Sequence, residues 1–112
     1  MADSEREEAR PPAAELPPGL ESYRRTGTFC EQTVPDGLLK AHATKAGTWG
    51  LIQVIEGELL YRIEDERRIP AQSRLRPGLP PGVVEPTIRH SVEPVGPVRF
   101  HVEFFRVEAP PR

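Results

Sequence analysis

The stretch His42-Ala-Thr-Lys-Ala-Gly-Thr-Trp-Gly50 runs directly into the apolar segment Leu51-Ile-Gln-Val-Ile55 and a Glu56-Gly57 turn signal. An imidazole, an ammonium and an indole thus stand just ahead of a segment that reads as a buried strand. A plain structural hairpin needs none of those groups there, whereas a metal or small-molecule site does. A second histidine, His90, closes a separate proline-bearing turn, Glu85-Pro-Thr-Ile-Arg-His90. Two histidines on different strands of one small β fold are the smallest constellation in this chain that carries chemistry.

Around that stretch the punctuation favours strands. Fourteen prolines and nine glycines divide the chain, every run between breakers is short, and no long 3.6-residue periodicity survives. Strands are expected at about Tyr23 to Phe29 and Leu38 to Ala43. A hairpin through Gly57 joins Trp49–Ile55 to Leu59–Ile63. Further strands follow at about Arg67 to Ile69, Gly82 to Glu85, His90 to Pro94 and Val98 to Val107. Pro77-Gly78 and Gly96-Pro97 read as turns, and a single helical turn is allowed near Pro35-Asp36-Gly37. About seven or eight short strands with closely spaced turns predict an all-β sandwich or closed barrel.

Parity assigns faces. Val98, Phe100, Val102 and Phe104 share one side of the last strand, and Arg99, His101, Glu103 and Phe105 share the other. The first set is apolar and faces the core. The second, with Val107 beside it, is a mixed outer face of the kind that marks a homodimer interface. Leu51 and Ile55 alternate with Ile52 and Val54, so that strand is expected to be covered on both sides, with Gln53 hydrogen-bonded inside.

Composition narrows the functions. The 112 residues point to one domain. Residues 1–18, charged and rich in proline, are expected to form a disordered tail, leaving a folded unit over 19–108. No signal peptide and no membrane span are expected, because no apolar run approaches the ~20 residues required. A formal net charge of −2 gives no electrostatic footprint for nucleic acid. Cys30 is the sole cysteine, so a reducing cytoplasm is the simpler location. Glycine-rich phosphate-binding motifs and a Ser or Cys nucleophile set beside a histidine are both missing.

Taken together, His42-x-Thr-Lys-x-Gly-x-Trp-Gly50, Val54-Ile-Glu-Gly-Glu-Leu-Leu-Tyr-Arg62 and Val83-Val-Glu-Pro-x-x-x-His90 resemble the two motifs of a cupin. More narrowly they are similar to the small cupin family tied to tellurite resistance, the TehB/YeaR-like domain. The resemblance covers about Leu16 to Val107. It implies a single-domain cupin, a double-stranded β-helix (jelly-roll) barrel, often dimeric, with a metal position inside. Some members are fused to an S-adenosylmethionine-dependent methyltransferase, which this chain does not contain, so methylation is not expected of it. The match departs from ordinary cupins, which carry His-x-His followed by Glu in the first motif. Here Thr44 stands where a second histidine would, and none of Thr48, Trp49 and Gly50 replaces the glutamate.

The resulting expectations are specific. His42 and His90, with Glu85 as the first carboxylate candidate and Glu103 as runner-up, would suit zinc, iron or manganese. The alternative is a pair of satisfied polar residues at a barrel mouth. Lys45 is expected to hold an anionic group, against the alternative of a solvated loop lysine. Trp49 is either a packing residue or a stacking surface for a ligand. Only one of Tyr61 and Arg62 can face the cavity, and Glu64-Asp-Glu-Arg-Arg68 reads as a solvated turn. Nothing near Cys30 in sequence is expected to lower its pKa. Two functions follow. One is a stand-alone metal-binding cupin that binds, and in the stronger form transforms, a small polar or anionic molecule. The other is a non-catalytic stress-response binding or sensing module, dimeric, with a vestigial metal site.

Overall fold

The computed structural model describes residues 9–107. Its strands are Leu20–Arg25 (β1), Phe29–Cys30 (β2), Trp49–Ile63 (β3), Ala71–Leu75 (β4), Gly82–Val84 (β5) and His90–Val107 (β6); one helical turn, Asp36–Leu39 (α1), lies between β2 and β3. Every strand pairing is antiparallel. The order is β1-β6-β3-β4, with β2 also on β6 and β5 also on β3.

The fold is all-β, as expected, but its ladder is open. β1 and β4 are the two ends of the order, and no pairing among the described residues joins them. The sheet instead folds over on itself. Gly82, which pairs with Ile52 in the first half of β3, packs onto Tyr61 in the second half. A Cβ at Gly82 would lie 3.0 Å from the Tyr61 ring and 2.9 Å from Leu75. The Tyr61 hydroxyl donates to the Val83 carbonyl at 2.7 Å and ties the two layers together.

The hairpin expected at Gly57 does not exist. β3 runs through as a single strand of 15 residues beside the 18 of β6, because Gly57 and Gly96 sit in bulges rather than turns. Val54 pairs with Phe100 and Glu56 with Arg99, which leaves Ile55 as one inserted residue, 41% exposed. One insertion reverses side-chain parity. Gly50, Ile52 and Val54 face inward before it, and Leu59, Tyr61 and Ile63 face inward after it. This refines the expectation of a strand covered on both sides: each half buries one face, the buried faces are out of phase, and Trp49, Leu51 and Leu60 lie half-buried on the other side. On β6 the irregularity adds two residues, so even positions stay inward throughout, and Val92, Val98, Phe100 and Val102 are all buried.

Other boundaries moved for local reasons. Leu38 belongs to α1, whose Leu38 N–H donates to the Pro35 carbonyl, so no strand covers Leu38 to Ala43. The expected Tyr23–Phe29 strand divides into β1 and β2. The strand expected at Arg67–Ile69 forms at Ala71–Leu75 instead. Its outward residues carry polar and charged groups suited to an edge.

Residues 10–13, inside the segment expected to be a tail, are tied to the domain. Arg10 bridges Arg68, with Ile69 N–H donating to the Arg10 carbonyl at 2.8 Å, and Ala13 N–H donates to Glu85 at 3.0 Å. Residues 1–8 of that expectation lie outside the described residues. No helix among the described residues is long and apolar enough to cross a membrane.

Candidate functional site

Between the layers lies a cavity of about 300 Å³, walled by Phe29, Leu38, Ile52, Val84, Phe100 and Phe104 and bearing His42, His90, Thr26, Thr44 and Arg24 as its polar residues. The backbone explains how the two histidines meet. His42 and His90 form an isolated antiparallel bridge, exchanging N–H to carbonyl bonds of 3.0 and 2.8 Å. Two residues further on, Thr44 bridges Pro86 and accepts the Thr87 N–H at 3.0 Å. The imidazole centroids are 4.2 Å apart and tilted by 53°.

Each ring is held in the same way. The Nδ1 of His42 is 3.1 Å from the Lys40 carbonyl, and that of His90 is 3.1 Å from the Ile88 carbonyl. A carbonyl only accepts, so each Nδ1 carries the proton, and in the neutral ring the lone pair resides on Nε2. Among the described residues no fully buried side-chain nitrogen or oxygen lacks a partner. The Nε2 of His90 has no protein partner, so it is open to the cavity. Burial, reinforced by neighbouring His42 and only partly opposed by the Ile88 carbonyl, pushes the His90 pKa down to about 4. His90 is therefore neutral near pH 7. The Tyr61 ring stands edge-on to His90 at 5.8 Å.

The other expected site residues are elsewhere. Glu85 is buried, but Arg68 grips its carboxylate through three bonds of 2.7 to 3.0 Å and Ala13 N–H takes a fourth. Burial pushes its pKa up, yet the bonds from Arg68 and Ala13 win and bring it below the usual glutamate value. Glu85 is thus the post to which the N-terminal segment is tied. Lys45 is exposed, and its carbonyl turns the loop by accepting the Thr48 N–H at 3.1 Å. Trp49 and Glu103 lie on the outer face, in register with Phe105 and Leu51. None of these four lines the cavity.

The turn at residues 64–68 is not merely solvated. Asp65 is buried and accepts bonds from the Arg67 backbone and guanidinium and from the Arg89 N–H, all within 3.0 Å. Those bonds, above all from the Arg67 side chain, hold its carboxyl well below the usual carboxylate range. Cys30 also departs from expectation. The Thr33 hydroxyl beside its thiol lowers its pKa, with further help from the Gln32 backbone. Arg24 was not anticipated at all. Its place opposite Phe104 in the ladder, after an irregularity between Ser22 and Arg24, sets it at the cavity.

The donor set tests the metal expectation. Two Nε2 atoms suit an ion such as zinc, iron or manganese, but a retained centre takes three or more protein ligands. Among the described residues no group of three or more His, Cys, Asp or Glu is placed to hold one. The Thr44 hydroxyl donates to the Thr48 carbonyl at 2.7 Å, and Glu85 is committed to Arg68. The residues present do not fit a resident metal centre. A second cavity of about 390 Å³ lies between Pro12 and Tyr61. Its Tyr61 hydroxyl is spent on Val83 and its Arg74 on Glu58, so it offers less to a ligand.

An all-β domain folded over a cavity with one histidine pair defines a class of small all-β domains. Residues 24–102 match the model of the TehB-like domain, and the chain belongs to that tellurite-resistance-related family. It is similar to TehB from Haemophilus influenzae, with 25% identity and a TM-score of 0.73, over 80% of this chain and 32% of that one. The chain thus spans about a third of that relative. A protein from E. coli K12 has 22% identity and a TM-score of 0.74, with 85% of this chain and 98% of that chain covered. Hydroxypropylphosphonic acid epoxidase from S. wedmorenis shares the fold at 20% identity and a TM-score of 0.50, over 77% of this chain and 43% of its own. No curated protein sequence matches this one.

Proposed function

We propose that this domain is a cupin of the double-stranded β-helix type that binds a small polar or anionic molecule between its layers, as a binding or sensing module rather than a metalloenzyme. One observation carries the reading. Both imidazoles are oriented by their own backbone, so that paired Nε2 atoms serve the cavity, while the carboxylate that would complete a metal site is held by Arg68. The pair then acts as two hydrogen-bond acceptors for a ligand. After loading with zinc, manganese or iron(II) and gel filtration, elemental analysis is expected to find well under one ion per chain. Near-stoichiometric metal that both His42→Ala and His90→Ala abolish would overturn the reading in favour of a metalloenzyme.

The outer face suits a homodimer. Trp49 and Leu51 lie in register with Phe105 and Glu103, and Leu20 with Val107, which is 68% exposed. A second copy related by a twofold axis covers such a face with itself. Light scattering is expected to give twice the chain mass, falling to one chain mass in Phe105→Arg with the far-ultraviolet spectrum retained. A wild-type monomer at tens of micromolar would remove the dimer from the proposal.

A further inference from the structure

We infer that the ligand is a small hydroxycarboxylic acid with an apolar body, and that Arg24 selects it by its carboxylate; this rests on the binding-module reading above and assigns the ligand's chemistry. The first support is the state of the arginines. Arg62, Arg67, Arg68, Arg74, Arg76, Arg89, Arg99 and Arg106 each lie beside a carboxylate. Like Arg10 and Arg25, Arg24 has neither an ion pair nor a side-chain hydrogen bond among the described residues, but it alone of the lysines and arginines lines the histidine cavity, on its exposed side. No aspartate or glutamate lines that cavity. An exposed guanidinium with no carboxylate partner at the edge of apolar walls is available to a ligand, and its planar fork pairs two-point with a carboxylate.

The second support is the polarity of the opposite groups. Both imidazoles line the cavity with Nδ1 committed to a backbone carbonyl, which leaves Nε2 as the acceptor of the neutral ring; such a lone pair repels an anion but accepts a hydrogen bond from a hydroxyl. The cavity therefore asks for acid at Arg24 and hydroxyl at the histidines. Between them Phe29, Leu38, Ile52, Phe100 and Phe104 require hydrocarbon. Its volume of about 300 Å³ suits a small molecule.

Nitrogen-15 and imidazole carbon NMR titrations of the full chain test this with 4-hydroxyphenylacetate, mandelate and 2-hydroxyisocaproate as probes. The neutral control is 2-(4-hydroxyphenyl)ethanol, and phenylacetate is the control lacking the hydroxyl. At least one hydroxy acid is expected to bind below millimolar concentration and to shift the His42 and His90 resonances. Arg24→Gln should weaken it at least tenfold while leaving the neutral alcohol and the melting temperature unchanged, and Arg24→Lys should recover only part of the loss. If the neutral alcohol binds as tightly as the acids, or Arg24→Gln binds them equally, the assignment of a carboxylate falls while the cavity reading stands. If phenylacetate binds as well as its hydroxylated form, the hydroxyl role of the histidines falls. If no probe shifts the histidine resonances, the assignment of this ligand class is overturned. Metal retained at both histidines in the experiment above would instead overturn the underlying reading.

Discussion

Gly57→Ala lowers the stability of the domain by about 3 kcal/mol or more, and the reason is location rather than flexibility. Gly57 adopts φ +81°, a region where a side chain costs about 1–2 kcal/mol. A Cβ there would also collide with the Pro97 carbonyl oxygen and stand 2.9 Å from Val98 Cα, both of them backbone atoms. Neither atom yields without disturbing the β3–β6 ladder, so strain adds to the conformational cost. Gly78 is the internal control, with φ +84° and nothing within 4 Å of an added Cβ. Gly78→Ala should cost about 1 kcal/mol. Thermal unfolding followed by circular dichroism distinguishes them, because ~1 kcal/mol shifts the midpoint of a domain this size by roughly 4–8 °C. Equal losses at the two positions would mean that the strand does not approach Pro97 as described.

The second large effect is pH-dependent. The His90 pKa is about 4 in the fold, against ~6.5 in the unfolded chain. Between those values the unfolded chain takes up a proton that the folded one refuses, so stability falls as pH drops from 6.5 towards 4. The shift of about 2.5 units corresponds to roughly 3 kcal/mol at the lower limit. Below pH 4 both states are protonated and this contribution stops changing. The carboxyls of Asp65, Glu58 and Glu85 have lowered values. Their stabilisation is present above the ordinary carboxyl range and is lost beneath about pH 4.5. Urea unfolding between pH 6.5 and 4.5 should therefore show a slope that His90→Gln flattens, with the loss at lower pH retained. An unchanged slope in that variant would refute the burial of a neutral imidazole.

Local pattern carried part of this far. Even-numbered residues of β6 face the core because strand parity is a property of the chain itself, and the added pair near Gly96 leaves it intact. His42 and His90 were legible as partners because each sits beside a turn signal that brings strand ends together. Ile55 was not legible, since an inserted residue looks like any other in an apolar run and shows itself only against Phe100 and Arg99. The same holds for Gly57, whose positive φ serves a bulge as well as a turn. The engagement of Glu85 was not legible because its partner, Arg68, lies 17 positions away across the fold, and no periodicity links them. Arg24 gave no signal, since what singles it out is its place at the cavity, which only the ladder opposite Phe104 reveals.

The docking of residues 10–13 rests on their own main chain. The contacts that hold Arg10 and Ala13 use their backbone amides and one carbonyl. Pro11 and Pro12 stand between them at positions from which no donor is asked. The attachment is thus carried by the backbone at positions 10 and 13, while Pro12 and Ala13 present their side chains to the second cavity. Proline, harmless at the two middle positions, would untie the segment at the next, where the Ala13 amide hydrogen is needed by Glu85.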